Sequence, residues 1–252
     1  MSNDIGDWYR SIPQISRYWF TLAVAFPLLG KIGLLSPYYM ILDWNLFFHK
    51  FQIWRPITAL FYYPITPMTG FHYLINLYFL YSYSTRTETG VFDGRPADYL
   101  FMLIFNSVIL VVSFWNKYFL LLMDPFVLSV MYVWCQLNRD QIVQFWFGTQ
   151  FKYWGLRLEI FGFSRANFLV TFSLELIGIF VGHLYFFLMF KYPQDFGGVR
   201  FINTPSFLYK YFPNRRGGVS GFGQAPASRR EENRGPNEGR HLWGQGNTLG
   251  GQ

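Results

Sequence analysis

Ser129, His72, Asn76 and Glu175 are polar side chains set inside otherwise apolar runs of this 252-residue chain. Polar groups in such runs are costly and are functional candidates by default. Their types suggest acyl transfer, in which a buried serine with a histidine base in hydrogen-bond reach attacks a peptide carbonyl. His72 and Asn76 stand four apart, hence on one helix face. Glu175, Gly178 and Gly182 stand at i, i+3 and i+7 and share another face. Gly178 and Gly182 form a GxxxG pair, which lets a neighbouring helix come close. Against hydrolysis, Leu128 and Val130 flank Ser129 and crowd a nucleophile. His183 lies roughly 80° around the helix from Glu175 and is no partner for it. A rival reading makes Glu175, Asn76, Asn106 and Asp124 the lining of a small-solute path, although no repeated halves support it. Cys135 is the one cysteine, which excludes a disulfide framework and a Cys-cluster zinc site. Neither a cofactor nor a metal is expected.

The elements that must position these groups are membrane helices. Hydrophobic residues make up 52% of the chain and charged residues 14%, against about 25% charged in a soluble domain. The net charge of +7 first suggests nucleic acid, but its distribution argues otherwise. Residues 1–190 hold 12 basic and 10 acidic side chains, while residues 191–252 hold 9 and 4. A nearly neutral apolar body with a basic tail is the pattern of a polytopic membrane protein. Hydropathy predicts six spans, at 18–36, 68–84, 98–115, 119–136, 153–165 and 167–190. The fifth is short and contains Arg157 and Glu159, so an amphipathic surface helix competes for the same residues. Asn116–Lys117 turns the chain between the third and fourth spans. Pro56, Pro64 and Pro67 break the stretch before the second span, leaving 37–67 as an aromatic-rich interfacial loop. Residues 1–17 show no signal-peptide pattern, so the first span is expected to be an uncleaved anchor.

Six spans put the N-terminal segment, the 82–97 and 137–152 loops and the tail on one side. That side holds 15 Lys/Arg against Lys50, Arg55, Lys117 and Arg165 opposite, which predicts cytosolic termini. Residues 191–216 mix aromatic and basic side chains and read as a segment at the membrane surface. From Gly217 onward 10 of 36 residues are glycine, the composition of a disordered linker. It ends in a box of Trp243, Gly244, Gly246, Leu249 and Gly250. Two large apolar residues among glycines build no core and are expected to anchor a partner, with the glycines allowing close backbone approach.

Trp54-Arg55, the GxxxG and the six-span pattern resemble the rhomboid superfamily. The runs Phe51-Gln-Ile-Trp-Arg-Pro-Ile-Thr, Glu88-Thr-Gly-Val-Phe-Asp-Gly-Arg-Pro-Ala-Asp-Tyr-Leu, Gln136-Leu-Asn-Arg-Asp and Gly182-His-Leu-Tyr-Phe-Phe, with the terminal Trp-Gly-Gln-Gly, resemble its derlin family. The resemblance implies a rhomboid-like bundle that is a pseudoprotease. A rhomboid protease carries its nucleophile in Gly-x-Ser-Gly and a histidine base three residues before the last-span GxxxG. Here those positions are Leu128-Ser129-Val130 and Glu175, so His72, Asn76, Ser129 and Glu175 become vestiges of protease positions. Derlins more often have an apolar residue at His72. The resemblance further implies residence in the endoplasmic reticulum membrane and disposal of misfolded proteins by retrotranslocation to the cytosol. Implied partners are the valosin-containing protein ATPase (Cdc48 in fungi) at the tail box, a membrane ubiquitin ligase complex, misfolded clients and further derlin chains. Under this reading Trp54 and Arg55 anchor the first loop in the lumenal leaflet, and short spans thin the surrounding bilayer.

Overall fold

The computed structural model describes residues 4–114, 121–138, 143–144, 150–151, 168–195 and 201–214. The expected fifth span at 153–165, the turn at Asn116–Lys117 and the tail from 217, with Trp243, Gly244, Gly246, Leu249 and Gly250, lie outside the described residues. Helices build the described chain, apart from one two-residue antiparallel pairing of Val143–Gln144 with Gln150–Phe151.

A short helix α1 (Asp4–Ser11) leads into α2 (Gln14–Ile32). Hydropathy placed this span at 18–36, but Pro13 starts the helix earlier and Gly33 ends it. Gly33 adopts φ 83, a left-handed turn that glycine takes without a Cβ penalty. Pro13 cannot cap the helix with a side chain. The cap comes instead from the carboxylate of Glu88, which accepts from the Ile15 and Ser16 amides at 3.1 and 2.7 Å and from Ser16 Oγ at 2.7 Å. A carboxylate at a helix N-terminus satisfies orphan donors and meets the positive end of the dipole.

The 37–67 stretch is more ordered than a loop. It folds into α3 (Pro37–Met40), α4 (Trp44–His49) and α5 (Arg55–Phe61). Asp43 caps α4 by accepting from the Asn45 and Leu46 amides. Trp44 Nε1 donates at 2.8 Å to the carbonyl of Phe114, which ends α7 (Pro96–Ser113). Helix α6 (Gly70–Arg86) continues into a π-helical turn at Thr87–Val91, which carries Glu88. Helix α8 (Met123–Leu137) has 15 residues, fewer than the span expected at 119–136. Helix α9 (Phe168–Phe186) is followed by a second π turn at Phe187–Lys191, by α10 (Tyr192–Asp195) and by α11 (Ser206–Tyr211).

Contacts between helices fix their relative directions. Ser16 meets Ser84 and Ala23 meets Tyr73, so α2 and α6 are antiparallel. Ser84 and Tyr99 hydrogen-bond at 2.7 Å, joining the end of α6 to the start of α7. Asn76 meets Asp124, and the rings of Tyr83 and Trp134 lie 5.2 Å apart, so α6 and α8 are parallel. Gly178 faces Pro125 and Gly182 faces Ser129, which makes α8 and α9 parallel as well.

Polarity is distributed inside out. Ser16, Ser84, Glu88, Asn106, Ser129 and Glu175 are buried, while α7 exposes Ile104, Val108 and Val112 on one face. That arrangement suits an apolar surrounding and is consistent with a membrane protein. By length and composition, two described helices could cross a bilayer, Pro96–Ser113 and Leu174–Asp195.

Glu88→Ala removes the acceptor for three donors at the start of α2. Each buried donor left unpaired costs about 1–3 kcal/mol, so the unfolding midpoint of the detergent-purified chain should fall. A midpoint equal to that of the parent would refute the capping role.

Candidate functional site

Helices α6, α8 and α9 enclose a cavity of about 60 Å³. His72 and Asn76 reach it from α6, Asp124 from the first turn of α8 and Glu175 from α9, with Ile75, Phe79 and Leu128 among its apolar lining. Asn76 Nδ2 donates to Asp124 Oδ1 at 2.6 Å. His72 Nδ1 lies 2.8 Å from the Tyr63 hydroxyl and 3.9 Å from Asp124 Oδ2. Burial pushes the Tyr63 phenol above its ordinary value, and the Asp124 charge adds to this. The phenol therefore keeps its proton and can donate to the imidazole. Glu175 is 7% exposed, and its Oε2 has no hydrogen-bond partner among the described residues.

The structure thus brings together His72, Asn76 and Glu175, and adds Asp124 and Tyr63. It does not bring Ser129. That hydroxyl, fully buried, donates to the Phe126 carbonyl at 2.7 Å and accepts from Asn106 Nδ2 at 3.2 Å. Ser129 faces α7, and the cavity lies on another side of α8. The proposed solute lining divides in the same way, because Asn106 sits with Ser129 and apart from the other three. His183 Nδ1 pairs at 2.9 Å with the Tyr132 hydroxyl of α8, away from the cavity.

Gly178 and Gly182 set the distance between α8 and α9. A Cβ on Gly178 would lie 2.6 Å from the Pro125 carbonyl oxygen, and one on Gly182 2.5 Å from that of Ser129. The two backbones are in contact, and only glycine fits.

Trp54-Arg55 divides into two roles. Trp54 is exposed, as an interfacial anchor would be, but Arg55 is 0% exposed. A fully buried guanidinium holds no lipid headgroup, so the anchoring role expected of its charge is corrected. Its Nη1 donates to the Tyr38 and Ile41 carbonyls at 2.7 and 2.9 Å, and its plane lies 5.0 Å from the Tyr38 ring. Arg55 ties α5 to the end of α3 from within.

The sequence reading assigned no role to Glu88 or Asp98, although both lie in the run 88–100. Asp98 Oδ1 accepts from Thr204 Oγ1 at 2.6 Å and from the Tyr209 hydroxyl at 2.7 Å. Burial, followed by this bond, raises the Tyr209 phenol above its ordinary value. Part of the juxtamembrane segment therefore folds back onto the start of α7. A helix start without a cap of its own, as at Pro13, was the available signal for a remote carboxylate.

A model of the Der1-like family matches residues 12–206. The chain belongs to this family. Derlin-1 of Homo sapiens is 60% identical over 253 residues, covering 99% of this chain and 100% of that protein. Derlin-1 of Caenorhabditis elegans is 45% identical over 252 residues, covering 98% and 99%, and that of Drosophila melanogaster 43% over 253 residues, covering 98% and 99%. Similarity to these derlins extends past residue 206 into the tail.

Three substitutions test the packing of this derlin. Gly182→Ala overpacks the α8–α9 contact at a cost of about 1–3 kcal/mol, whereas Gly90→Ala meets open space. Thermal unfolding should fall for the first and hold for the second; equal midpoints would sink the close-contact account. Arg55→Lys keeps the charge but cannot hold Gln52 through Nε while Nη1 reaches both carbonyls, and each charge-assisted bond is worth about 1.5–3 kcal/mol. Limited proteolysis within 37–54 should quicken by roughly tenfold or more. An unchanged cleavage rate would remove Arg55 from loop organisation.

Proposed function

We propose that this derlin is a non-catalytic, rhomboid-like component of endoplasmic-reticulum-associated degradation that helps misfolded proteins return from lumen or membrane to cytosol. The observation carrying the non-catalytic reading is the placement of Ser129. A serine protease needs its hydroxyl within about 3 Å of a base. Here the hydroxyl is hydrogen-bonded to Phe126 and Asn106, while His72 faces Tyr63 and Asp124 in a different compartment. The role in degradation is supported by full-length similarity to proteins named Derlin-1.

The chain crosses the endoplasmic reticulum membrane six times with both termini in the cytosol. Helix directions support that count. Helices α8 and α9 are parallel, so an odd number of crossings must separate them, and the span expected at 153–165 supplies one. Residues 16, 88, 98 and 204 lie at one end of the bundle through the Glu88 and Asp98 contacts, as the six-span order requires.

Retrotranslocation is aided by local thinning of the bilayer and by association with further derlin chains. Helix α8, at 15 residues, is about 22 Å long, against roughly 30 Å of hydrocarbon. The tail box of Trp243, Gly244, Gly246, Leu249 and Gly250 recruits the valosin-containing protein ATPase, whose ATP hydrolysis supplies the pulling force. A membrane ubiquitin ligase complex marks the client.

Co-purification of the ATPase with the intact chain should be lost in Trp243→Ala/Leu249→Ala, and a misfolded lumenal reporter should then decay more slowly. Ser129→Ala should leave reporter decay unchanged. Unaltered ATPase binding in the tail variant would remove the box from the mechanism, and loss of function in Ser129→Ala would restore the protease reading.

A further inference from the structure

The cavity between α6, α8 and α9 has a use that the loss of proteolysis leaves unexplained. Its carboxylates are unequal. Asp124 accepts from Asn76 at Oδ1, and its Oδ2 lies 3.9 Å from His72 Nδ1, beyond hydrogen-bond reach. Glu175 has a buried Oε2 without a partner among the described residues. Two carboxylates and one imidazole line the cavity, with the Tyr63 hydroxyl on the imidazole, so the charge complement of the cavity is a cation or another strong hydrogen-bond donor. Its volume of about 60 Å³ exceeds the ~10–15 Å³ that one water-sized group needs, enough for an ammonium group and its last methylenes. Leu74 on α6, with Leu176 and Phe180 on α9, the two helices that carry His72 and Glu175, are exposed. They offer an apolar flank on which a helix within the membrane can lie.

We propose that this cavity recognises a basic side chain carried in the membrane span of a client polypeptide, with Glu175 as the acceptor and Asp124, held by Asn76, as the supporting charge. This rests on the reading of the chain as a handler of misfolded proteins and names the client class. A lysine or arginine inside a span is costly until it finds a partner, and a span whose normal partner is missing carries that cost openly. The unpaired Glu175 has the converse need. Client selection is then a matter of matching unsatisfied groups, and a well-assembled membrane protein, with its charges already paired, is passed over.

The test uses the full chain purified into lipid nanodiscs and two fluorescent single-span peptides that differ only in a central Lys or Leu. The Lys peptide should bind more tightly by roughly three- to tenfold, the range of single polar contacts between membrane helices. Glu175→Gln should abolish that preference while leaving Leu-peptide binding and the unfolding midpoint as in the parent. Asp124→Asn provides a second variant should the first fold poorly, and should weaken the preference. Glu175→Lys with a Glu-bearing peptide should restore selective binding. Equal binding of Lys and Leu peptides to the parent, or a Lys preference that survives both substitutions, would overturn the proposal. ATPase co-purification and reporter decay, measured alongside, separate this failure from failure of the degradation reading. If both persist in the parent while selectivity is absent, only the client site is lost.

Discussion

The contact between α8 and α9 is the constraint on which the rest of the structure depends. Two glycines spaced by one helical turn remove every side-chain atom between the backbones, so the helices meet at Pro125 and Ser129 and cannot rotate freely. With the Ser129 carbonyl lying under Gly182, its side chain is directed to Asn106 of α7. The same rotation places Asp124 opposite Glu175, beside the end of α6 that carries His72 and Asn76. One packing decision therefore seals the serine away and opens the acidic cavity.

A second constraint comes from polar groups without access to water. Glu88, Ser16, Ser84 and Tyr99 form a continuous hydrogen-bonded chain through α2, α6, the π turn and α7. Burying a carboxylate is tolerable only if its oxygens are satisfied, and both Glu88 oxygens are. Arg55 plays the corresponding part at the other end, where its guanidinium takes carbonyls at the end of α3. Each end of the bundle holds one buried charge, of opposite sign. Neither is available to lipid or client, which leaves Glu175 as the buried carboxylate with an oxygen still to satisfy among the described residues.

The sequence made the long apolar helices legible, because their composition departs so far from that of a soluble domain. It also made the glycine pair visible, although glycine is common in membrane helices and the spacing by itself is a weak signal of a close contact. The shared face of His72 and Asn76 was readable from spacing. Spacing within one helix says nothing of rotation relative to the next, so Ser129 could be doubted only through its neighbours, and its partner Asn106 was assigned to the wrong set. Arg55 was read as a surface cation because an arginine beside a tryptophan in an aromatic loop usually snorkels. Burial against carbonyls 14 and 17 residues away leaves no local trace. Glu88 is the same case at a separation of 72 residues.

The length of α8 links the cavity to the membrane argument. Gly178 of α9 lies against Pro125, the third residue of α8. Ten residues of α9, about 15 Å of helix, precede that level. Helix α8 therefore begins well below the start of its neighbour, and its first turn, with Asp124, lies at the floor of a recess between taller helices. A helix longer than the bilayer can tilt to fit, but one that is too short gains nothing by tilting, so lipid or water must make up the difference. The α5 carbonyl of Ala59 accepts the Leu122 amide at 3.2 Å and so covers one side of that first turn, while Asn76 of α6 and Glu175 of α9 line the cavity beside it. Short length and polar floor therefore meet at one helix start, so the proposed thinning and the proposed client site would rest on the same first turn of α8.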